Sequence, residues 1–139
     1  MADIRKIGLL TLRGERVLLC RKHGLAPLIL PGGRIEPGET AEECLVRELH
    51  EELGDVTLNT PELLGIYVDR AATADPAEVK TVEITLYGGT LRGAPVASSE
   101  IDELVWFGSD DDRAALSPIL INRIFPDLVR RGLLPWRNW

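Results

Sequence analysis

The stretch from Gly32 to Gly54 constrains this chain more than any other. It reads Gly-Gly-Arg-Ile-Glu-Pro-Gly-Glu-Thr-Ala-Glu-Glu-Cys-Leu-Val-Arg-Glu-Leu-His-Glu-Glu-Leu-Gly, a turn-rich loop running into one acidic helix. Thr40 suits an N-cap, Glu43 stands where it can complete a capping box, and Gly54 suits the left-handed residue that ends a helix. These signals predict a helix over Thr40–Leu53. At about 100° per residue, Ala41, Leu45, Leu49 and Leu53 align as one apolar stripe, and that stripe must face a core. Glu48 lies one turn before Glu51 and Glu52, so these carboxylates share one sector of the helix surface.

An acidic helix face is ordinarily just solvated. Glu43, Arg47 and Glu51, repeating at a helical spacing, would form an ion-pair ladder worth roughly a few tenths of a kcal/mol per link. That reading explains Glu48 and Glu52 poorly, because like charges at the edge of a buried stripe repel each other and lose solvation. A divalent cation would remove the conflict. Magnesium takes hard oxygen ligands from one or two carboxylates, with water and substrate phosphate completing its shell.

Gly33, Glu39, Arg47, Glu48, Leu49, Glu51, Glu52 and Gly54 stand in the order Gly-x5-Glu-x7-Arg-Glu-aliphatic-x-Glu-Glu-x-Gly. In this the stretch resembles the Nudix box. One position departs: an aliphatic residue should follow Gly54, but Asp55 stands there and Val56 comes next. The departure bears on packing at the helix exit and leaves the carboxylates intact.

The resemblance implies an α/β fold, a Nudix-type α/β/α sandwich around a mixed β-sheet. It implies hydrolysis of a nucleoside diphosphate linked to a further group, with Mg2+ as cofactor and Mn2+ able to substitute. Glu48 and Glu52 would be metal ligands, with the Gly32 carbonyl as another, and Glu51 a ligand or a base. Arg47 would orient the carboxylates and pair with Glu39. Gly33 and Glu36 would lie against substrate. A glutamate upstream of a tryptophan-bearing strand often binds metal or activates water in the family; Glu100 is the candidate, with Glu103 second. Both also read as solvated acids.

At 139 residues, residues 1–139 are expected to form a single domain with one core. The net charge of −6 argues against a nonspecific nucleic-acid polymer coat or a membrane-surface binder, since both need clustered positive charge. Cys20 and Cys44 lack paired metal-site spacing and read as core thiols of a reducing compartment, and Ile7–Leu12 is too short to span a bilayer. The cytoplasm is the expected location.

Ile4–Leu12 and Arg16–Arg21 read as a hairpin, and the continuously apolar Val17–Cys20 as a strand covered on both faces. Arg21, at the end of that strand, would meet substrate phosphate or simply face solvent. Leu28–Leu30 is expected to deliver the glycine pair, with further strands at Leu63–Asp69, Thr81–Leu91 and Leu104–Phe107. Residues 70–79 would be a lid or an idle loop. Ser117-Pro118 opens a last helix that Pro126 should kink or split. The tail Trp136–Trp139 reads as packing, with a homodimer contact as one outcome, rather than as a base-stacking platform.

The expected substrate is a small-molecule nucleotide, a nucleoside triphosphate or a nucleotide sugar. Some family members that act on oxidised guanine use an asparagine near the start of the last helix, whereas here Ile119 and Leu120 follow Pro118 and the nearest asparagine is Asn122. The alternative to an enzyme is a Nudix-fold module that senses a nucleotide without turnover. A calcium-binding structural domain fits less well, because calcium loops alternate oxygen ligands around a central glycine.

Overall fold

The computed structural model describes residues 1–139. In chain order the elements are β1 (Ile4–Leu10), β2 (Leu12–Arg13), β3 (Arg16–Lys22), β4 (Gly32–Gly33), α1 (Ala41–Leu53), β5 (Thr57–Arg70), β6 (Thr81–Arg92), β7 (Ile101–Phe107) and α2 (Phe125–Arg130). One sheet has the order β4-β1-β6-β5 and is mixed, with β1 parallel to β6; the other has the order β2-β3-β7 and is antiparallel.

The expected hairpin from Ile4 to Arg21 is therefore only partly present. Leu12 and Arg13 pair with Val17 and Arg16, but β1 leaves them to lie between β4 and β6. The cause is burial on both of its faces. Ile7 and Leu9 pack with α1, whereas Leu10 joins the opposite core. An interior strand position satisfies both faces, and a hairpin edge does not. Gly8 permits the fit, since a Cβ there would sit 3.1 Å from Ile84 Cγ2.

Two apolar layers flank the strands. On one side the α1 stripe of Leu45, Leu49 and Leu53 packs with Ile7, Leu9 and Leu18. Val56 joins this layer while Asp55 stays exposed, so the aliphatic role displaced by one residue is filled. On the other side Val17, Leu19, Ile84 and Leu86 meet Leu120, Phe125 and Leu128 from the last helical segment. The result is an α/β/α sandwich.

The last helix is widened rather than split. Leu120–Ile124 adopts a π turn in which the Phe125 N–H donates to the Leu120 carbonyl, and Pro126 then falls in the first turn of α2. Proline has no N–H to give and its ring crowds the carbonyl four residues back; a wider turn just before it relieves both problems.

The C-terminal tail closes the chain's own core. The Trp136 ring meets Phe125 edge-on at 4.9 Å and lies 6.0 Å from Phe107, and its Nε1 donates to the Glu15 carbonyl at 2.6 Å. Trp139 stacks edge-on against Phe125 at 5.7 Å. Trp136→Ala should therefore cost about 3–5 kcal/mol in urea unfolding. A loss below about 1 kcal/mol would mean that the tail only rests on the surface.

Leu28–Leu30 forms isolated bridges instead of a full strand, pairing Ile29 with Cys20 and Leu28 with Leu116. β5 is longer than expected and carries register shifts near Asn59 and Leu63. Cys20 and Cys44 are free and buried. No helix is long and apolar enough to cross a membrane.

Candidate active site

The start of α1 is fixed by reciprocal capping. The Glu43 N–H donates to Thr40 Oγ1 at 3.1 Å, and the Thr40 N–H donates to Glu43 Oε1 at 2.9 Å. With the apolar stripe held in the core, Arg47, Glu48, Glu51 and Glu52 face the loop that carries the glycine pair.

Arg47 is the hub of this surface. It donates a two-bond fork to Glu39, Nε to Oε2 at 2.6 Å and Nη2 to Oε1 at 2.9 Å. The same guanidinium reaches Glu48 at 2.9 Å, Glu51 at 3.3 Å and the Arg34 carbonyl at 3.1 Å, with Glu36 farther off at 3.8 Å. The Arg47 fork, helped by the Glu36 N–H, holds the Glu39 carboxyl down at about 2. The Arg47 guanidinium is pushed above its ordinary value, chiefly by Glu39. Loop and helix are thereby locked together.

The glycine pair seats two carboxylates. Glu52 is only 5% exposed, and its Oε1 accepts the Gly32 N–H at 2.7 Å. Burial pushes its carboxyl up to about 7, against the Gly32 N–H and Lys22; Glu48 adds to the rise. Glu48 lies against Gly33, where an added Cβ would come within 2.3 Å of its carboxyl carbon. A side chain on Gly33 would fill the space that Glu48 uses.

The acids are nevertheless not gathered at one point. No three Asp, Glu, His or Cys side chains converge on a common metal position. Glu48 and Glu51 turn to Arg47, the nearest cation, and Glu51 remains 52% exposed. The donor set still suits a hard divalent cation: a buried carboxylate and a largely buried second one stand against glycine backbone, with a solvent-facing third one turn away.

The other expected site residues lie apart from this hub. Arg21 pairs with Glu103, its partner in the β3–β7 register, and donates from Nε to the Ala26 carbonyl at 2.8 Å. Glu100 is exposed, and its carbonyl accepts the His23 N–H at 2.8 Å. Its loop is nonetheless tied to the end of α1, where the Ser98 N–H donates to the Glu52 carbonyl at 3.0 Å.

Sequence reasoning missed Lys6. Its ammonium is pushed below the ordinary lysine value mainly by burial, then by Lys22 and Arg34, with Glu52 opposing. Lys6 lines an apolar cleft whose walls include Ile4, Ile29, Ala71, Ile84 and Ile119. The cleft reaches Gly32, and Ser117 contributes a second polar side chain. The available signal was β-strand alternation, which puts Lys6 on the same face as Ile4 and Gly8.

Fold and site together define an α/β/α protein built around an acidic helix face packed on a glycine pair, one glycine of which also lines an apolar cleft. The chain belongs to the Nudix family, since the family model described as the NUDIX domain matches residues 4–120. It is 29% identical over 97 residues to an uncharacterized Nudix hydrolase, YvcI, of Bacillus subtilis, covering 70% of this chain and 61% of that protein. It is 38% identical over 105 residues to the NAD-capped RNA hydrolase NudC of Stutzerimonas stutzeri, covering 73% of this chain and 35% of that one. The matches thus span less than two thirds of these relatives' lengths. Among solved structures, the MutT NUDIX hydrolase from Burkholderia pseudomallei superposes with a TM-score of 0.67 at 27% identity, covering 85% of this chain and 93% of that one.

Proposed function

We propose that this chain is a metal-dependent pyrophosphohydrolase that cleaves a nucleoside diphosphate linked to another moiety, of the nucleoside triphosphate or nucleotide-sugar class. The observation that carries this reading is the seating of Glu48 and Glu52 against Gly33 and Gly32, with Gly32 also lining an apolar cleft. The nucleoside would lie in the cleft and its phosphates over the acids.

Mg2+, or Mn2+ in its place, held by Glu48, Glu52 and the Gly32 carbonyl with Glu51 as a further ligand, would neutralise phosphate charge and favour ionised water. Arg47 keeps Glu48 and Glu51 from drifting apart and fixes the loop through Glu39. Gly33 and Glu36 border the space for the phosphates. Proton removal from the attacking water falls to Glu51, an exposed acid of the hub, or to Glu100, an exposed acid on the loop that the Ser98 N–H ties to the end of α1. Arg21 would reach substrate only by leaving Glu103.

The test is a phosphate- and pyrophosphate-release screen over nucleoside triphosphates, nucleotide sugars and dinucleotides, run with Mg2+ and with Mn2+. Metal-dependent release from at least one class is expected, and EDTA should abolish it. Silence over every class from folded protein would shift the reading to a nucleotide sensor.

A further inference from the structure

Only two side chains in the cleft lining carry polar groups, Lys6 and Ser117, and neither is satisfied within the protein. Ser117 is 2% exposed, and its hydroxyl has no hydrogen-bond partner. No hydrogen bond or ion pair holds the Lys6 ammonium; Lys22 and Arg34 repel it, and Glu52 is the acid that attracts it. The walls around them are hydrocarbon, including Ile4, Ile29, Ile84 and Ile119. A polar group buried without a partner is costly, as Ser117 is, and a half-buried lysine without one lines the same apolar slot; together they mark a place where a ligand supplies the missing partners.

The placement selects the part of the ligand. Gly8 pairs with Gly32, and Lys6 stands two residues farther along β1, roughly 7 Å away at strand spacing. A phosphate at the glycine pair would leave a ribose's length before Lys6. Apolar walls at that distance suit a ring rather than a second anion.

The hydrogen-bonding capacity selects the ring. An ammonium has three donors and no acceptor, and a serine hydroxyl can add another donor. A base with a carbonyl oxygen on its edge satisfies both, as guanine does with O6 and N7 and uracil with O4. Adenine and cytosine place an amino group at the equivalent position and would set donor against donor. We propose that Lys6 and Ser117 make this cleft selective for nucleotides with a carbonyl-bearing base edge over those with an amino edge. The inference rests on the pyrophosphohydrolase reading for the nucleotide nature of the ligand.

Nucleoside monophosphates test it without turnover. GMP, UMP, AMP and CMP are titrated calorimetrically into the full chain in the presence of Mg2+, and into Lys6→Met, Lys6→Arg and Ser117→Ala. Methionine keeps the length and apolar stem of lysine, and thermal melts check that each variant is folded. GMP and UMP should bind about tenfold tighter than AMP and CMP, a bidentate donor pair's discrimination. Lys6→Met should bring the four within about twofold, Lys6→Arg should keep the order, and Ser117→Ala should narrow it.

Equal binding of the four by the unaltered chain, or no binding of any, would overturn the proposal. So would a preference that survives in Lys6→Met. A Lys6→Met variant that weakens all four alike would place Lys6 on phosphate, which also overturns it. The two readings fail separately: a base preference without any turnover removes the hydrolase and keeps this inference, and turnover without base preference does the reverse.

Discussion

Glu52→Gln should unfold at a higher temperature than the native chain at pH 8 in metal-free buffer, while losing turnover on the order of 100- to 1000-fold. The stability gain follows from burial. Glu52 is buried, and its carboxyl is pushed up to about 7 from 4.5, so the fold favours the neutral acid. For a carboxyl raised on folding, the stabilising contribution is complete below about pH 4.5 and is lost as pH rises through about 7. Above that, the native chain carries a penalty of about 3 kcal/mol that glutamine lacks, or roughly 10 °C for a chain of this size. Glutamine keeps the shape and its carbonyl can still accept the Gly32 N–H. The two proteins should therefore converge in stability near pH 4.5 and diverge towards pH 8. Mg2+ at 100 times its dissociation constant should return about 2.7 kcal/mol to the native chain and nothing to the variant. A glutamine variant that is less stable at pH 8, or as active as the native chain, would remove Glu52 from the proposed site.

The helix at the centre of the site was readable because everything that defines it is local. Thr40 and Glu43 cap it, Leu45, Leu49 and Leu53 repeat at its period, and the spacing of Glu48 and Glu52 puts them side by side. Where Arg47 directs its donors was less readable. A ladder at helical spacing describes its contact with Glu51, but the shorter bonds go to Glu39 and Glu48, and these depend on a loop whose path only the folded chain sets. Long-range pairings were hidden for the same reason. Arg21 looked free because Glu103 becomes its neighbour only in the β3–β7 register. β1 looked like half of a hairpin because its parallel partner, β6, lies far along the chain. Ser117 was expected to open the last helix, and it does so through its carbonyl rather than its side chain, taking the first helical N–H groups from Leu120 and Ile121. Its hydroxyl is left buried without a partner.

The adjacent glycines should respond to the same substitution in opposite ways. In Gly32→Ala, the new Cβ would stand 2.0 Å from the Ile7 carbonyl oxygen, on backbone that cannot swing aside, and φ is +144°, a value side chains rarely accept. The clash separates β4 from β1, and with it the Gly32 N–H from Glu52. A loss above about 4 kcal/mol is expected, enough to unfold much of the protein at 37 °C. In Gly33→Ala, φ carries no such strain, and the Cβ would instead meet the Glu48 carboxyl group at 2.3–2.6 Å, the far end of a flexible side chain. Glu48 can rotate away at a cost of about 1 kcal/mol, the scale of an off-rotamer side chain. The fold should therefore survive while Glu48 leaves its place beside Glu52, and turnover should fall about 100-fold with the melting temperature nearly unchanged. Circular dichroism melts and the phosphate-release assay on both variants separate the two effects. Full turnover in a folded Gly33→Ala would show that the position Glu48 occupies is not needed for the reaction, and the metal assignment would then have to rest on Glu51 and Glu52 without it.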